Sequence, residues 1–412
     1  MKTVLLGWIG LLTSYFVSAQ HDCRSFEYRQ LLLQKDPGLQ RSQDAAQNFV
    51  RLHEASRTTS NLTGKTITIP VVVHVIYHYP VENISDSLVK SQIIALNRDF
   101  RKLNADTVQI PEGFKAFAAD CGIDFQLATV DPKGRATSGI IHKYTPITKW
   151  IMDDKIKLSS EMGDDGWDPK SYLNIWVGTL DQFLGYSSVP GDPADKDGVV
   201  ISMTAFGTKS GGVYSKGRTA VHEIGHWLGL RHLWGDADCG DDGVADTPKQ
   251  QTFTNGCPTG IRVSCNNGPN GDMYMDYMDF TNDACLVMFT KGQQLKMRAL
   301  FEPGGARNSL LSSNGIGTPT SEEISVPDAS PRWLHVKIYP DPVSTELTVN
   351  LEFDTRWVGK EMQVINISGQ VQLRKTILSK VQKLDVSQLR PGVYFIRAEK
   401  EGEKIIEKFI KL

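Results

Sequence analysis

What the sequence lacks narrows its class before any motif does. Past residue 20, no stretch approaches the roughly 20 consecutive apolar residues that a membrane helix needs. Neither charge dominates: 47 acidic and 45 basic side chains leave a formal net charge of −2. That removes the electrostatic reason to expect nucleic acid or an anionic membrane as the main partner. Cysteine is sparse, with six in 412 residues, and four of the six fall between positions 239 and 285. The one marked apolar run lies at the start, Val4 to Val17, behind Lys2 and ahead of the small-residue signal Val17-Ser18-Ala19. It is too short to span a membrane comfortably and reads as a signal peptide, residues 1–19. Export places the cysteines in an oxidising compartment, where they pair. Six cysteines allow about fifteen full pairings, and spacing does not choose among them.

Residues 20–57 are polar with a few apolar patches and read as a detachable pro-segment. A first domain follows over 58–311. Alternating β-branched residues predict a strand over 66–78, and helical spacing predicts a helix over 86–103. Strands are expected over 122–134 and 171–180, the second a central one. Helices are expected over 215–230 and 291–301, with a Gly/Asp/Asn/Pro-rich loop over 235–275 between them. Residues 312–333 are rich in Gly, Ser and Pro and read as a linker. Short alternating strands over 334–412 predict a small all-β sandwich.

The stretch HEIGHWLGLRH carries the chemistry. On a helix, His222 and His226 lie one turn apart and project from the same face. Gly229 can end the helix and turn the chain, which would bring His232 to the same ion. Three imidazoles and one water make an open, catalytic zinc site. Zinc lowers the pKa of its bound water toward about 7 and polarises a carbonyl. Glu223 lies beside the pair and would act as general base toward that water, then pass the proton to the leaving amine.

HEIGHWLGLRH resembles the HExxHxxGxxH signature of the metzincin clan of zinc endopeptidases. Together with the run DDGVADTP and a methionine turn before Cys285, it is similar to the pappalysin family, in particular its short, ulilysin-like microbial members. The resemblance covers about residues 66–300. It implies an α/β catalytic domain with a twisted sheet, an active-site helix and an irregular lower subdomain, with Met278 in the turn beneath the metal. It also implies structural calcium, with Asp242, Asp246 and the carbonyls of Val244 and Thr247 as ligands, and the disulfides Cys239–Cys265 and Cys257–Cys285. One departure matters: the family usually has a tyrosine two residues after the turn methionine, and here that position is Phe280. A second register, Met275-Asp276-Tyr277, would restore the tyrosine, but the spacing to Cys285 favours Met278.

Cys23 and Cys121 remain. Related zymogens block the metal with a pro-segment cysteine, and the resemblance assigns that role to Cys23, released by cleavage between about 51 and 60. A Cys23–Cys121 disulfide or an inert thiol is the other reading. The resemblance also suggests that Asp283 lines the pocket for a basic residue after the scissile bond. His74 and His78 read as structural histidines on a strand. The last module, with IYPDPVSTELTV and LRPGVYFIRAEKEGEKIIEKFIKL, resembles the C-terminal sorting domain of the type IX secretion system, an Ig-like sandwich. Its machinery then becomes a partner, and the location is the outer surface of a Gram-negative cell or beyond. The expected activity is cleavage of protein or peptide substrates by a secreted enzyme whose own pro-segment inhibits it. The alternative is a weak or dead relative that serves as a surface binding protein.

Overall fold

The computed structural model describes residues 23–55, 64–324, 336–351, 357, 359–379, 381–400 and 403–412. The expected signal peptide and residues 56–60 of the expected activation stretch lie outside the described residues. Two helices come first, α1 (Ser25–Lys35) and α2 (Leu39–Ala55). Then come β1 (Ile67–Tyr77), α3 (Asp86–Phe100), β2 (Ile123–Leu127), β3 (Arg135–Ala136), β4 (Ile140–Tyr144), β5 (Leu173–Gly178), β6 (Gly185–Ser187) and β7 (Val199–Ser202). Two helices follow, α4 (Arg218–Trp227) and α5 (Lys291–Ala299), and then β8 (Ser321–Ile324).

β1 organises the main sheet. Along one edge it pairs in parallel with β2 through residues 67–71 and with β4 through 73–77. Along the other it pairs in parallel with β5, which continues to β7. β6 closes the sheet antiparallel to β7 and leaves its outer edge to other partners. Because β1 is covered on both faces, its sequence is a nearly continuous apolar run rather than a strict alternation. Its odd positions, Ile67 to Val75, join the core shared with α3 and α4. On the opposite face Ile76 packs with Trp176, Val200 and Tyr186, and with Tyr28 and Leu32 of α1.

The expected helices and the central strand β5 are present. The strand expected over 122–134 ends at Leu127, and the chain then turns at Asp131 and Gly134. The linker expectation needs a correction at its start. Residues 313–324 return to the catalytic domain: Thr129 N donates to Gly315 O at 2.8 Å, Thr320 N to Gly134 O at 2.9 Å, and β8 pairs with β3. Composition could not show this, because the pairing partners lie nearly 190 positions upstream. The expected pro-segment is more ordered than its polarity suggests, since it forms two helices that bury Tyr28, Leu32 and Val50 against the rest.

The stretch between α4 and α5 has no regular elements, as expected from its composition. It is stapled by Cys239–Cys265 and Cys257–Cys285, the pairing the resemblance implies. Cys23 and Cys121 are both free and buried, which rules out the disulfide alternative between them in this structure. The C-terminal module is a three-stranded and a four-stranded antiparallel sheet around one core that includes Leu347, Val349, Trp357, Val364, Ile396 and Phe409. Among the described residues, no helix is long and apolar enough to cross a membrane.

Candidate metal centre and active site

α4 is buried along its whole length. Its first residue, Arg218, is fully buried and is neutralised by Asp99 at 3.1 Å and Asp106 at 2.8 Å. The helix ends at Gly229, whose φ of +84° suits a residue without a Cβ. There Gly229 N and Leu230 N donate back to the carbonyls of His226 and Gly225. This turn carries His232 back toward the helix. Beneath α4 lies Met278, so close that a Cβ on Gly225 would meet its sulfur at 2.5 Å. The Met278 register is therefore the one that underlies the helix. The hydroxyl of Tyr277, the rival, is buried at the other end, where the ring sits 5.6 Å from the Arg218 guanidinium.

The three histidines converge. Nε2 of His226 lies 3.0 Å from Nε2 of His222 and 3.1 Å from Nε2 of His232. Each ring's other nitrogen faces an acceptor: His222 Nδ1 the carbonyl of Tyr277, His226 Nδ1 the carbonyl of Leu230, His232 Nδ1 the carboxylate of Asp236. Those acceptors make Nδ1 the donor and leave each Nε2 lone pair turned to a common point. Trp234 stacks on the His232 ring at 4.4 Å and Phe280 packs edge-on at 4.9 Å, which fixes that ring further.

A fourth donor reaches the same point. Sγ of Cys23 and one nitrogen from each histidine all lie within 4.8 Å of one another, the one such group of converging donors found among the described residues. Three imidazoles and a thiolate are a ligand set suited to zinc, and three inward lone pairs at this separation repel unless a cation sits between them. The donors present therefore fit the ion. Without it, burial and the neighbouring Glu223 push the Cys23 thiol well above its usual pKa.

Cys23 is held there by the sheet edge. It bridges Gly185 in parallel, and Arg24 N donates to Gly185 O at 3.0 Å. Two residues on, Ser25 Oγ donates to Glu223 Oε2 at 2.7 Å and accepts from Ser187 N at 2.9 Å. Glu223 is fully buried and its other oxygen has no hydrogen-bond partner. Burial, to which the pro-segment contributes in this state, raises its pKa to about 7 against the hydrogen bond from Ser25.

The remaining candidates are dispersed. Asp242 accepts from Val244 N at 3.0 Å and Thr247 Oγ1 at 2.9 Å. Asp246 instead caps α5, accepting from Thr290 Oγ1 at 2.7 Å and Gly292 N at 2.9 Å. Asp283 is buried beneath the start of α4, where it accepts from Lys216 N and Arg218 N and leaves Oδ1 without a partner. His74 is a buried structural residue, bonded to Asp164 and Asn174, and His78 bonds Thr145 O. Sequence reasoning missed Ser25 and Asp236. Asp236 did leave a signal, an acid four residues after His232. Ser25 left none, because its partner lies 198 positions away.

Comparison with known proteins fits this geometry. The family model described as pregnancy-associated plasma protein-A matches residues 157–302. An extracellular metalloprotease of Colletotrichum graminicola is 30% identical over 273 residues, covering 61% of this chain and 83% of the relative. The chain belongs to this family, the pappalysins. Tannerella forsythia mature mirolysin in complex with a cleaved peptide is 44% identical, with a TM-score of 0.59, covering 60% of this chain and 96% of that one. Promirolysin of the same organism is 39% identical, with a TM-score of 0.66, covering 71% and 97%. This pappalysin is thus a zinc metalloendopeptidase with a metzincin-like α/β catalytic domain. A second model, the secretion system C-terminal sorting domain, matches residues 337–412 and marks the protein for type IX secretion in Bacteroidetes, to the cell surface or the medium.

Proposed function

We propose that the processed chain hydrolyses polypeptides at the His222–His226–His232 centre with Glu223 as general base, and that residues 20–57 hold the unprocessed chain latent through Cys23. The observation that carries this is the thiol sharing the convergence point of the three imidazoles. A zinc ion held by those imidazoles would supply Lewis acidity toward a substrate carbonyl and acidify a water beside it.

The rest is the work of the chain's own groups. Glu223, beside His222 on α4, is placed to take a proton from the attacking water and give it to the leaving amine. In the unprocessed chain both roles are taken, the fourth donor position, where the water would sit, by Cys23 and the base by Ser25. Latency therefore ends when the pro-segment is cut and leaves. Phe280 offers no hydroxyl to a developing oxyanion. Loss of one such donor typically costs about 10²–10³ in rate, so turnover slower than in a tyrosine-bearing relative is expected. Asp283 belongs to the same proposal as the acceptor for a basic side chain after the scissile bond, supported by its unpartnered Oδ1. So does calcium at Asp242 and the carbonyls of Val244 and Thr247. Its support is a buried carboxylate that accepts from Val244 N and Thr247 Oγ1, with the Lys296 ammonium against the Asp242 carbonyl, while Asp246 would have to leave its capping role to join. The Ig-like character of the C-terminal module and a catalytic domain from 58 to about 324 complete the proposal.

The test is a casein or azo-collagen assay on processed protein with and without 1,10-phenanthroline, and with Glu223→Ala. Cleavage that persists in chelator or in the variant would remove the metalloprotease reading, and no cleavage by the unaltered processed protein would leave the surface binding protein.

A further inference from the structure

Tyr28 of α1 fills a slot whose hydrogen-bond acceptor, cation and aromatic wall all come from residues beyond the pro-segment. It is 2% exposed. Its hydroxyl donates to Asp154 Oδ2 at 2.9 Å and receives Lys157 Nζ at 3.4 Å. Its ring lies 4.7 Å from that of Tyr186, and the Lys157 ammonium stands 5.0 Å from both ring centroids. None of this framework depends on Tyr28. Lys157 pairs with Asp154 at 3.0 Å, donates to the carbonyl of Lys196 at 2.7 Å and sits 5.5 Å from the Trp176 ring. The slot therefore comes with an acceptor for a hydroxyl, a cation for a ring face and an aromatic wall, the complement of a phenol. A phenylalanine there would leave a buried carboxylate oxygen short of a donor.

Its position ties it to the active site. Tyr186 follows Gly185 on β6, and it is Gly185 that pairs with the backbone of Cys23 at the metal centre. Removing α1 opens the slot beside the strand edge on which the occupying backbone lies. We propose that in the processed enzyme the Asp154–Lys157–Tyr186 slot is a recognition subsite for a tyrosine side chain of the polypeptide being cut, and that Tyr28 is its occupant before processing. This rests on the reading that the pro-segment leaves.

The test uses processed protein and synthetic ten-residue peptides that share one cleavable centre and carry a single Tyr, Phe or Ala walked along the flanking positions. Each peptide is measured by kcat/KM and, on chelator-treated protein where nothing is cut, by binding affinity. The expected result is one position where Tyr exceeds Phe and Ala by about tenfold or more in both measurements. In Asp154→Asn, which keeps a residue tolerant of the left-handed φ of +67° at this site, the preference should shrink to about twofold. Equal Tyr and Phe at every position on the unaltered protein overturns the proposal, as does a preference that survives Asp154→Asn. The comparison on unaltered protein decides even if the variant does not fold. Absence of cleavage with a retained tyrosine preference in binding would reject the protease reading and leave the slot standing.

Discussion

Two regions of this molecule crowd potential metal donors into a short stretch, and they do so differently. Across 222–232 three histidines turn their Nε2 atoms to one point, each fixed by an acceptor behind it. Across 236–246 five aspartates stand just as densely in sequence, yet Asp242 and Asp246 have gone to separate hydrogen-bond networks. Asp236 serves the histidine centre instead. The difference lies in what spaces the donors. A helix repeats every 3.6 residues, so side chains four apart share a face. A loop imposes no such repeat, and its acids settle wherever a nearby N–H or O–H will have them. Density of donors in sequence is thus weak evidence for a site, and regular spacing on a helix is strong evidence.

The contrast can be broken or sharpened by substitution. The largest effect is expected from Glu223→Ala, which should lower kcat/KM of processed protein by about 10²–10⁴ while bound zinc, read by atomic absorption, stays stoichiometric. His226→Ala should lose both activity and zinc. Asp242→Asn, its counterpart in the loop, should keep zinc and nearly all activity. A loss of zinc from Asp242→Asn would show that the two regions are one site.

Next in size is Cys23→Ser. A hydroxyl is a poorer zinc ligand than a thiolate, so basal activity of the unprocessed chain should rise about tenfold or more over the unaltered chain. Ser25→Ala, which frees Glu223 but leaves the thiol, should raise it less. Asp236→Asn should then weaken zinc affinity by about 10–100-fold, measured by competition with a chelator, because it orients His232 without touching the metal.

The smallest effect is one of stability with pH, and the two kinds of carboxylate should show opposite signs. Burial pushes Asp106 up, but hydrogen bonds from Arg218 and Lys216 outweigh it and hold the group well below the usual range. Its stabilisation is present above pH ~3.8 and is lost as pH falls below that. Asp242 is raised to about 6, chiefly by burial. It binds a proton in the folded state between roughly 3.8 and that value, so ionising it costs stability as pH rises through about 6. In metal-free buffer, Asp242→Asn should therefore raise Tm more at pH 8 than at pH 4.5. Calcium should raise Tm of the unaltered chain at pH 8 and leave the variant unmoved. Equal Tm with and without calcium in both would remove calcium from the loop.

The legibility of the sequence followed the same division. His222, Glu223, His226 and the turn at Gly229 could be read because their geometry is local to one helix and its end. β1 and β5 could be read from their β-branched and apolar content, although β1, covered on both faces, is a nearly continuous apolar run rather than the alternation that predicted it. What stayed hidden was set by distant partners. Ser25 acquires its role only from Glu223 and Ser187, and Tyr28 only from Asp154 and Lys157. The return of 313–324 onto Thr129 and Gly134 has no composition of its own. The Met278 register could be inferred from its distance to Cys285, but only the close packing against Gly225 shows what that methionine supports.

The central claim is that one zinc ion is shared by three imidazoles and the Cys23 thiol until processing removes the thiol. X-ray absorption at the zinc edge, on the unprocessed and processed chains in turn, reads this directly. Three nitrogen ligands and one sulfur ligand before processing, with the sulfur replaced by a lighter donor afterwards, is the predicted result. A spectrum without sulfur in the unprocessed chain, or one that processing leaves unchanged, would contradict it.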